Sequence, residues 1–169
     1  MRLDRLEGNP DSRVAWGSDI AAQMLRRCGI RYLSLNPGAS YRGLHDSLVN
    51  HLGNENPGII LCLHEECAVA MAHGYAKVAR KPMAAMVHST VGLQHASMAM
   101  YNAYADRAPI LVISGNMQNT AARRPNVEWN HAALDQNALL AQVEQRSHGV
   151  GSDEAETSGD EDHRLTFLS

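Results

Sequence analysis

Four short apolar segments, each separated from the next by a helix-length segment, constrain this fold more than any other feature of the sequence. The apolar segments are Ile30–Leu35, Ile59–Leu63, Met83–Val87 and Pro109–Ile113. Helical periodicity surrounds them at 16–28, 41–52, 65–80 and 92–104. Strands that are apolar throughout, instead of alternating, have both faces covered. The sequence therefore predicts an α/β fold: a three-layer, open, mostly parallel sheet with helices on both faces.

Residues that begin and end helices refine these boundaries. Ser18 is expected to cap the first helix, and Gly29 is expected to end it. A last helix is predicted at 132–143, so one folded domain spans 1–143. Residues 144–169 are rich in Ser, Gly, Asp and Glu and poor in apolar side chains. Such a segment buries too little apolar surface to fold, and we expect an acidic, disordered tail.

Composition and charge exclude several classes of partner. The net charge is −3, from 15 Lys and Arg against 18 Asp and Glu, and the basic residues do not form the cluster that nucleic-acid binding needs. No stretch approaches the roughly 20 apolar residues of a membrane span, and the polar N-terminus is unlike a secretory signal. The three cysteines lie in apolar segments, which is typical of reduced thiols. We expect a cytoplasmic protein that binds neither nucleic acid nor membrane.

Polar and ionisable residues follow every predicted strand. They lie at 36–40, 64–66, 88–92 and 114–116. In an open parallel sheet, ligands bind beyond the carboxyl ends of the strands. The sequence therefore predicts a binding site at this edge of the sheet.

Glu65 and His88 are the candidate acid–base residues at this edge. Glu65 directly follows an apolar strand and opens a helix. It is either a first-turn acid that favours the helix or a partly desolvated carboxyl that titrates near neutral pH. His88 is either hydrogen-bonded within its loop or a proton donor and acceptor facing the same crevice. His64 is interpreted as structural, while His73 and His95 lie mid-helix, where packing or solvent is expected.

Metal and nucleophile patterns are absent from the sequence. His64 and Glu65 lack the second His of a zinc protease, since Ala68 occupies its position. Cys62, His64 and Cys67 straddle a strand-to-helix junction that would point them apart, and no fourth ligand completes a tetrahedron. There is no Gly-rich phosphate loop and no Gly-x-Ser-x-Gly elbow. We predict no metal site.

Two stretches carry a resemblance to a known family. They are LNPGAS at 35–40 and LHEECAVAMAHGYAKVARKPMAAMVHSTVGLQHASMAMYNAYADRAPILVISGN at 63–116. Over 12–143 the chain resembles the N-terminal, pyrimidine-binding domain of thiamine diphosphate enzymes related to acetolactate synthase and benzoylformate decarboxylase. The resemblance implies a flavodoxin-like fold that binds thiamine diphosphate.

The same resemblance implies the cofactor contacts. Glu65 falls where the family has the glutamate that hydrogen-bonds the aminopyrimidine nitrogen N1′ and activates the cofactor. Pro37 and Gly38 fall in the first crevice loop and are implied to bind the cofactor as well. Only the pyrimidine end of thiamine diphosphate is expected on this chain, and Mg²⁺ is expected on a partner.

Substrate contacts are implied at two turns. His88 and Ser89 resemble the His-Ser pair that benzoylformate decarboxylase-like members present to a small 2-oxo acid, where acetolactate synthases have Gly-Pro-Gly. Ala39 stands where the decarboxylases have a substrate-binding serine, and the neighbouring Ser40 is the alternative hydroxyl. The four residues are predicted to bind substrate.

A partner is implied because the family's magnesium-binding Gly-Asp-Gly motif does not occur in these 169 residues. We expect a subunit of a 2-oxo-acid decarboxylase or carboligase that works with a separate diphosphate-binding chain, in a homo- or hetero-oligomer, and is inactive alone. Two alternatives stay open at this point. One is a non-catalytic, truncated relic or interaction module of the same fold, and the other is an unrelated flavodoxin-like binding protein.

Overall fold

A computed structural model describes residues 13–116, Gln136 and the backbone of 166–168. The helices are α1 (Gly17–Arg27), α2 (Arg42–Asp46), α3 (Glu65–Ala79) and α4 (Ser89–Ala105). The strands are β1 (Tyr32–Leu35), β2 (Gly58–Leu61), β3 (Met83–Val87), β4 (Ile110–Ser114) and β5 (Thr166–Leu168). A 3₁₀ turn at Ala39–Tyr41 precedes α2 and a π turn at Ser47–His51 follows it. None of the helices in these described parts is long and apolar enough to span a bilayer.

The strands form one sheet in the order β2-β1-β3-β4-β5, with every neighbouring pair parallel. The chain runs from β1 to β2 on one side and then crosses to β3 on the other side of β1. The connections after β1 and β3 therefore diverge, which leaves a crevice where open α/β sheets bind ligands. This strand order is the flavodoxin-like one, and the predicted α/β fold is confirmed.

The two faces of the sheet carry separate apolar clusters. All five residues of β3 are buried. Met83, Ala85 and Val87 pack with α3 and α4, whereas Ala84 and Met86 pack with α1 on the opposite face. Side chains of a strand alternate between its two faces. Unbroken apolarity in this strand thus results from helices on both sides.

The start of α1 differs from the prediction, but its end does not. Asp19 caps the helix, because its carboxylate accepts hydrogen bonds from the N–H groups of Ala15 and Trp16, both at 2.9 Å. Ser18 lies inside the helix instead of capping it. Gly29 follows the helix with φ of 75°, a left-handed conformation that favours glycine, and confirms the predicted stop.

Of the predicted acidic tail at 144–169, the structure describes only Thr166–Leu168, and disorder of the tail stays a prediction. The backbone of Thr166–Leu168 forms β5, parallel to β4. Thr and Phe favour strands, and the edge of β4 offers backbone groups for pairing. The rest of 144–169 lies outside the described residues, as does the helix predicted at 132–143 apart from Gln136. The domain boundary at 143 stays a prediction.

Packing between α3 and α4 relies on small side chains, which allows a direct test. Ala72 on α3 has no exposed surface. We expect Ala72→Leu to lower the free energy of unfolding by about 1–3 kcal/mol, because added methylenes overpack a filled interface. Urea unfolding followed by circular dichroism measures the change.

Ala70→Leu on the exposed side of the same helix is the matched control. It should change the free energy of unfolding by less than about 0.5 kcal/mol. Equal losses for the two variants would contradict the packing described between α3 and α4.

Candidate functional site

Glu65 is the first residue of α3 and lies almost fully buried at the carboxyl edge of the sheet. The hydroxyl of Ser34 on β1 donates to the carbonyl of Ala68 at 2.7 Å, which ties the first turn of α3 to the sheet. The N-terminal end of the helix favours a negative charge here. The expected burial of this carboxyl is confirmed.

Hydrogen bonds outweigh burial in setting the ionisation of Glu65. Burial raises the pKa of the carboxyl, but hydrogen bonds from Asn36, from its own backbone N–H and from His95 lower it by more. The pKa therefore lies below its ordinary value, and the expectation of titration near neutral pH is wrong. Glu65 is a buried carboxylate at neutral pH.

His95 contacts Glu65, although its position in the middle of a helix predicted packing or solvent. Its Nδ1 lies 3.2 Å from Oε2 of Glu65. Helix α4 begins at Ser89, earlier than predicted. Gly92 lies in its first turn against Glu65, since a Cβ at Gly92 would be 3.0 Å from the Cγ of Glu65. Residues three apart share a helix face. The spacing from Gly92 to His95 is the sequence signal that could have found this contact.

His64 stacks on His95, with ring centroids 4.9 Å apart and an interplanar angle of 21°. Its Nδ1 accepts the backbone N–H of Glu66 at 3.2 Å, which caps α3. The structural role predicted for His64 is confirmed. The cap also leaves Nε2 as the protonated nitrogen of a neutral His64 ring.

His64, Glu65 and His95 place possible metal-ligand atoms within 4.8 Å of one another. A metal ion lies in the plane of each imidazole that binds it, about 2.0–2.1 Å from the nitrogen. The two rings are nearly parallel and do not direct their lone pairs to one point. A ring would have to rotate to form a metal site, and the expectation that the chain holds no metal stays a prediction.

The connections after β1, β3 and β4 converge beside His88. Its Nδ1 lies 3.0 Å from the Oγ of Ser40. A Cβ at Gly38 would lie 2.6 Å from the Cβ of His88, and a Cβ at Gly115 would overlap the carbonyl of Ser40. Glycine at these two positions therefore permits the close approach of the three connections.

The other residues predicted to bind substrate or cofactor lie in the loop after β1 and at the start of α4. Ala39 is exposed in the 3₁₀ turn and offers only a methyl group, so Ser40 is the hydroxyl that reaches His88. Pro37 is exposed in the loop before that turn. Ser89 is fully buried, and its hydroxyl accepts a hydrogen bond from the amide of Gln136 at 3.2 Å. This bond ties the start of α4 to Gln136, and the substrate contact predicted for Ser89 stays a prediction.

Asn36 is a second site residue for which the sequence predicted no role. It follows β1 directly, and its side chain hydrogen-bonds the Glu65 carboxylate. The hydroxyl of Tyr41 donates to the backbone carbonyl of Asn36. Burial raises the pKa of Tyr41, and the negative charge of Glu65 raises it further, so the phenol keeps its proton for this bond. Tyr41 thus fixes the loop that carries the Asn36 amide.

Fold and site together define a class of protein: a flavodoxin-like α/β domain with a buried carboxylate at the point where its strand order reverses. Residues 15–139 match the family described as "Thiamine pyrophosphate enzyme, N-terminal TPP binding domain". The chain belongs to this family, which confirms the resemblance in the sequence.

The relatives of this chain include an acetolactate synthase subunit and a probable decarboxylase. The chain is 33% identical over 103 residues to the acetolactate synthase large subunit of Haemophilus influenzae, covering 61% of this chain and 18% of that protein. It is 35% identical over 103 residues to the "Probable 2-ketoarginine decarboxylase AruI" of Pseudomonas aeruginosa, covering 61% of this chain and 17% of that protein. The chain thus spans less than a fifth of the length of these relatives.

Solved structures of decarboxylases share the fold. The thiamine diphosphate-dependent 4-hydroxybenzoylformate decarboxylase of Rhodococcus jostii superposes with a TM-score of 0.60 at 22% identity, over 75% of this chain and 22% of that one. Benzoylformate decarboxylase of Polynucleobacter necessarius gives 0.56 at 23% identity, over 68% and 20% of the two chains. At these identities the likeness shows the fold alone.

The lowered pKa of Glu65 predicts how stability depends on pH. A carboxyl whose folded-state pKa is depressed stabilises the fold above its unfolded pKa, about 4.3, and this contribution is lost as the pH falls through the lower folded-state value. We expect Glu65→Gln to reduce the free energy of unfolding most above about pH 4.3 and less at lower pH. Urea unfolding from pH 3 to 7 measures this.

Glu66→Gln is the matched control, since Glu66 is adjacent and exposed. Its free energy of unfolding should depend on pH in the same way as that of the wild type. A difference between wild type and Glu65→Gln that grows as the pH falls would show a raised pKa at Glu65 and contradict the prediction.

Proposed function

We propose that this chain is the pyrimidine-binding domain of a thiamine diphosphate-dependent enzyme that decarboxylates 2-oxo acids or ligates them to a second carbonyl compound. Glu65 and His88 are its catalytic residues. The observation that supports this most directly is a carboxylate buried at the first turn of α3 and hydrogen-bonded by Asn36 and His95.

The polar groups that line the crevice suit the binding of an aminopyrimidine ring. Its ring nitrogen N1′ pairs with a carboxyl group, which Glu65 supplies from a sheltered position. Pro37 and Gly38 would lie along the pyrimidine from the loop after β1. When bound, thiamine diphosphate supplies a nucleophilic thiazolium carbon for attack on the 2-oxo group.

An ionised Glu65 serves this purpose as well as a protonated one. Its carboxylate would accept a hydrogen bond from a proton held on N1′, and the negative charge of Glu65 would offset the positive charge of that ring. A proton on the carboxyl instead would donate to the same nitrogen. In both arrangements N1′ and a carboxylate oxygen of Glu65 would share one proton, and the 4′-amino group would become more acidic. The lowered pKa of Glu65 is therefore compatible with its proposed role in activating the cofactor.

His88 and Ser40 are the residues we assign to the substrate. Their side chains lie 3.0 Å apart at the crevice, where an imidazole can hold or move a proton and a hydroxyl can orient a carboxylate or carbonyl oxygen. Ser40 takes the part that Ala39 cannot perform. Ser89 supports His88 by holding the start of α4.

The remaining parts of the site lie outside this chain in our proposal. A diphosphate-binding domain would hold Mg²⁺ and the diphosphate, and it would complete the substrate pocket. We expect a cytoplasmic homo- or hetero-oligomer that is inactive without this domain. A non-catalytic module of the same fold is the alternative, and it would keep the crevice without turnover.

Exchange of the cofactor C2 proton tests the proposal. The chain is mixed with thiamine diphosphate, Mg²⁺ and a candidate diphosphate-binding domain, such as the product of a neighbouring gene, and the exchange into D₂O is followed by NMR. We expect Glu65→Gln to slow C2 exchange by about 100- to 10,000-fold, the range typical of lost acid–base catalysis.

Glu66→Gln serves as the matched control and should leave the exchange rate unchanged, because the Glu66 side chain is exposed and the substitution keeps the backbone N–H that bonds to His64. Equal exchange in wild type and Glu65→Gln would overturn the role of Glu65. Absence of accelerated exchange in a complex that binds cofactor would favour the non-catalytic module.

Exposed apolar side chains on α3 and α4 predict self-association or pairing with another domain. Val78 is 90% exposed and Met98 is 56% exposed. Patches of this kind on a soluble domain mark interaction surfaces. We expect the double variant Val78→Lys and Met98→Lys to reduce the mass measured by light scattering toward that of a monomer.

Ile20→Lys is the matched control, because Ile20 is also exposed but belongs to α1 on the other face of the sheet. It should leave the mass of the wild type unchanged. A wild-type chain that is monomeric at high concentration would contradict self-association.

A further inference from the structure

We propose that His95 positions Glu65 and provides the route by which this buried carboxylate exchanges protons with solvent. The inference rests on the proposed function, because a carboxylate that shares a proton with N1′ must be able to gain and lose that proton.

Exposure differs sharply between the two groups that form this contact. The side chain of Glu65 is 5% exposed, whereas that of His95 is 48% exposed, and their Oε2 and Nδ1 atoms lie 3.2 Å apart. Water therefore reaches the imidazole but scarcely reaches the carboxylate. An imidazole has two ring nitrogens, so it can accept a proton at one nitrogen and donate a proton from the other. His95 thus links the interior of the site to the surface.

Stacking on His64 holds the His95 ring in this position. The ring centroids are 4.9 Å apart and the rings are nearly parallel. His64 is itself fixed, because its Nδ1 accepts the backbone N–H of Glu66 at 3.2 Å. A half-exposed side chain would otherwise lose rotamer freedom to make one hydrogen bond. The stack offsets part of this cost, and the orientation of His95 toward Glu65 is maintained.

The proton transfer balances without any other reactant. Water protonates Nε2 of the His95 tautomer that carries its proton on Nδ1, and Nδ1 then gives its proton to Oε2 of Glu65. A neutral ring with its proton on Nε2 remains, and its free Nδ1 takes the proton back in the reverse step. The net change is one proton moved from solvent to the carboxylate or back.

The other groups that face Glu65 are less suited to this exchange. Asn36 from the loop after β1 donates an amide hydrogen bond and does not titrate. Tyr41 from the 3₁₀ turn is buried, and its hydroxyl donates to the Asn36 carbonyl. Glu66, next along α3, is exposed, and its backbone N–H is bonded to His64. His95 combines contact with the carboxylate and contact with water.

The first measurement needs no cofactor. Glu65 is titrated in the free chain by NMR of ¹³C-labelled carboxyl groups, with Glu65→Gln to assign the signal. His95→Ala should raise the pKa of Glu65, because it removes a hydrogen bond that favours the charged form. His95→Asn keeps an amide donor near the position of Nδ1 and should restore the wild-type pKa at least in part.

The second measurement separates positioning from proton exchange. In the complex loaded with thiamine diphosphate and Mg²⁺, both His95→Ala and His95→Asn should slow C2 exchange at least tenfold, a smaller loss than the roughly 100-fold or more of a directly acting group. Added imidazole should restore much of the rate of His95→Ala, since the position is open to solvent. An Asn side chain cannot relay a proton. In His95→Asn we therefore expect the pKa of Glu65 to be restored while the rate of C2 exchange stays low.

His73→Asn is the matched control, because His73 is also a mid-helix histidine but pairs with Asp106 at 2.9 Å. It should change neither the pKa of Glu65 nor the exchange rate. A chelator in the cofactor-free titrations prevents a metal ion at His64, Glu65 and His95 from mimicking the effect on the pKa of Glu65.

Failure of this inference is distinguishable from failure of the proposed function. Slow exchange in Glu65→Gln with normal exchange in both His95 variants would overturn the proton route alone. An unchanged Glu65 pKa in His95→Ala would overturn the positioning role, whatever the cofactor experiment shows. Normal exchange in Glu65→Gln would overturn the function, and the proton route with it. His95→Asn, checked by its amide NMR spectrum, replaces His95→Ala if that variant fails to fold.

Discussion

The site depends on keeping the carboxylate of Glu65 charged while it is buried. Removing a charge from water costs several kcal/mol unless hydrogen bonds replace the hydration that is lost. Here the replacement comes from the N-terminal turn of α3, the Asn36 amide and the His95 ring. These donors come from three connected regions of the fold, so their relative positions are set by the sheet that joins them.

Small residues make that convergence possible. Gly92 lets α4 pass close to Glu65, and Gly38 lets the loop after β1 touch His88. Along α3 and α4, buried alanines such as Ala72 and Ala96 allow the two helices to pack closely. The same lack of bulk brings His95 within 3.2 Å of the carboxylate. The small glycine and alanine side chains therefore account both for the close packing of the helices and for the contacts within the site.

Much of the fold could be predicted from the chain alone, because unbroken apolar runs such as Met83–Val87 require two covered faces. Glu65 could be found because it follows a strand and opens a helix. The contact of His95 with Glu65 was missed, because it depends on how α4 packs against the start of α3, and helical periodicity does not report which neighbouring element a helix face meets. The start of α4 was also placed at Gly92 instead of Ser89, since helix ends are set by local hydrogen bonds that compete closely.

The sequence by itself determined the alternation of strands and helices, the family, and the acid that opens α3, because local periodicity and motifs specify these features. The ionisation of that acid was decided only by the tertiary structure. From burial alone the carboxyl was expected to titrate near neutral pH, yet Asn36 and His95, distant along the chain, lower its pKa. Short-range patterns specify what a residue is next to in sequence, whereas electrostatic free energy depends on the groups that surround it in space.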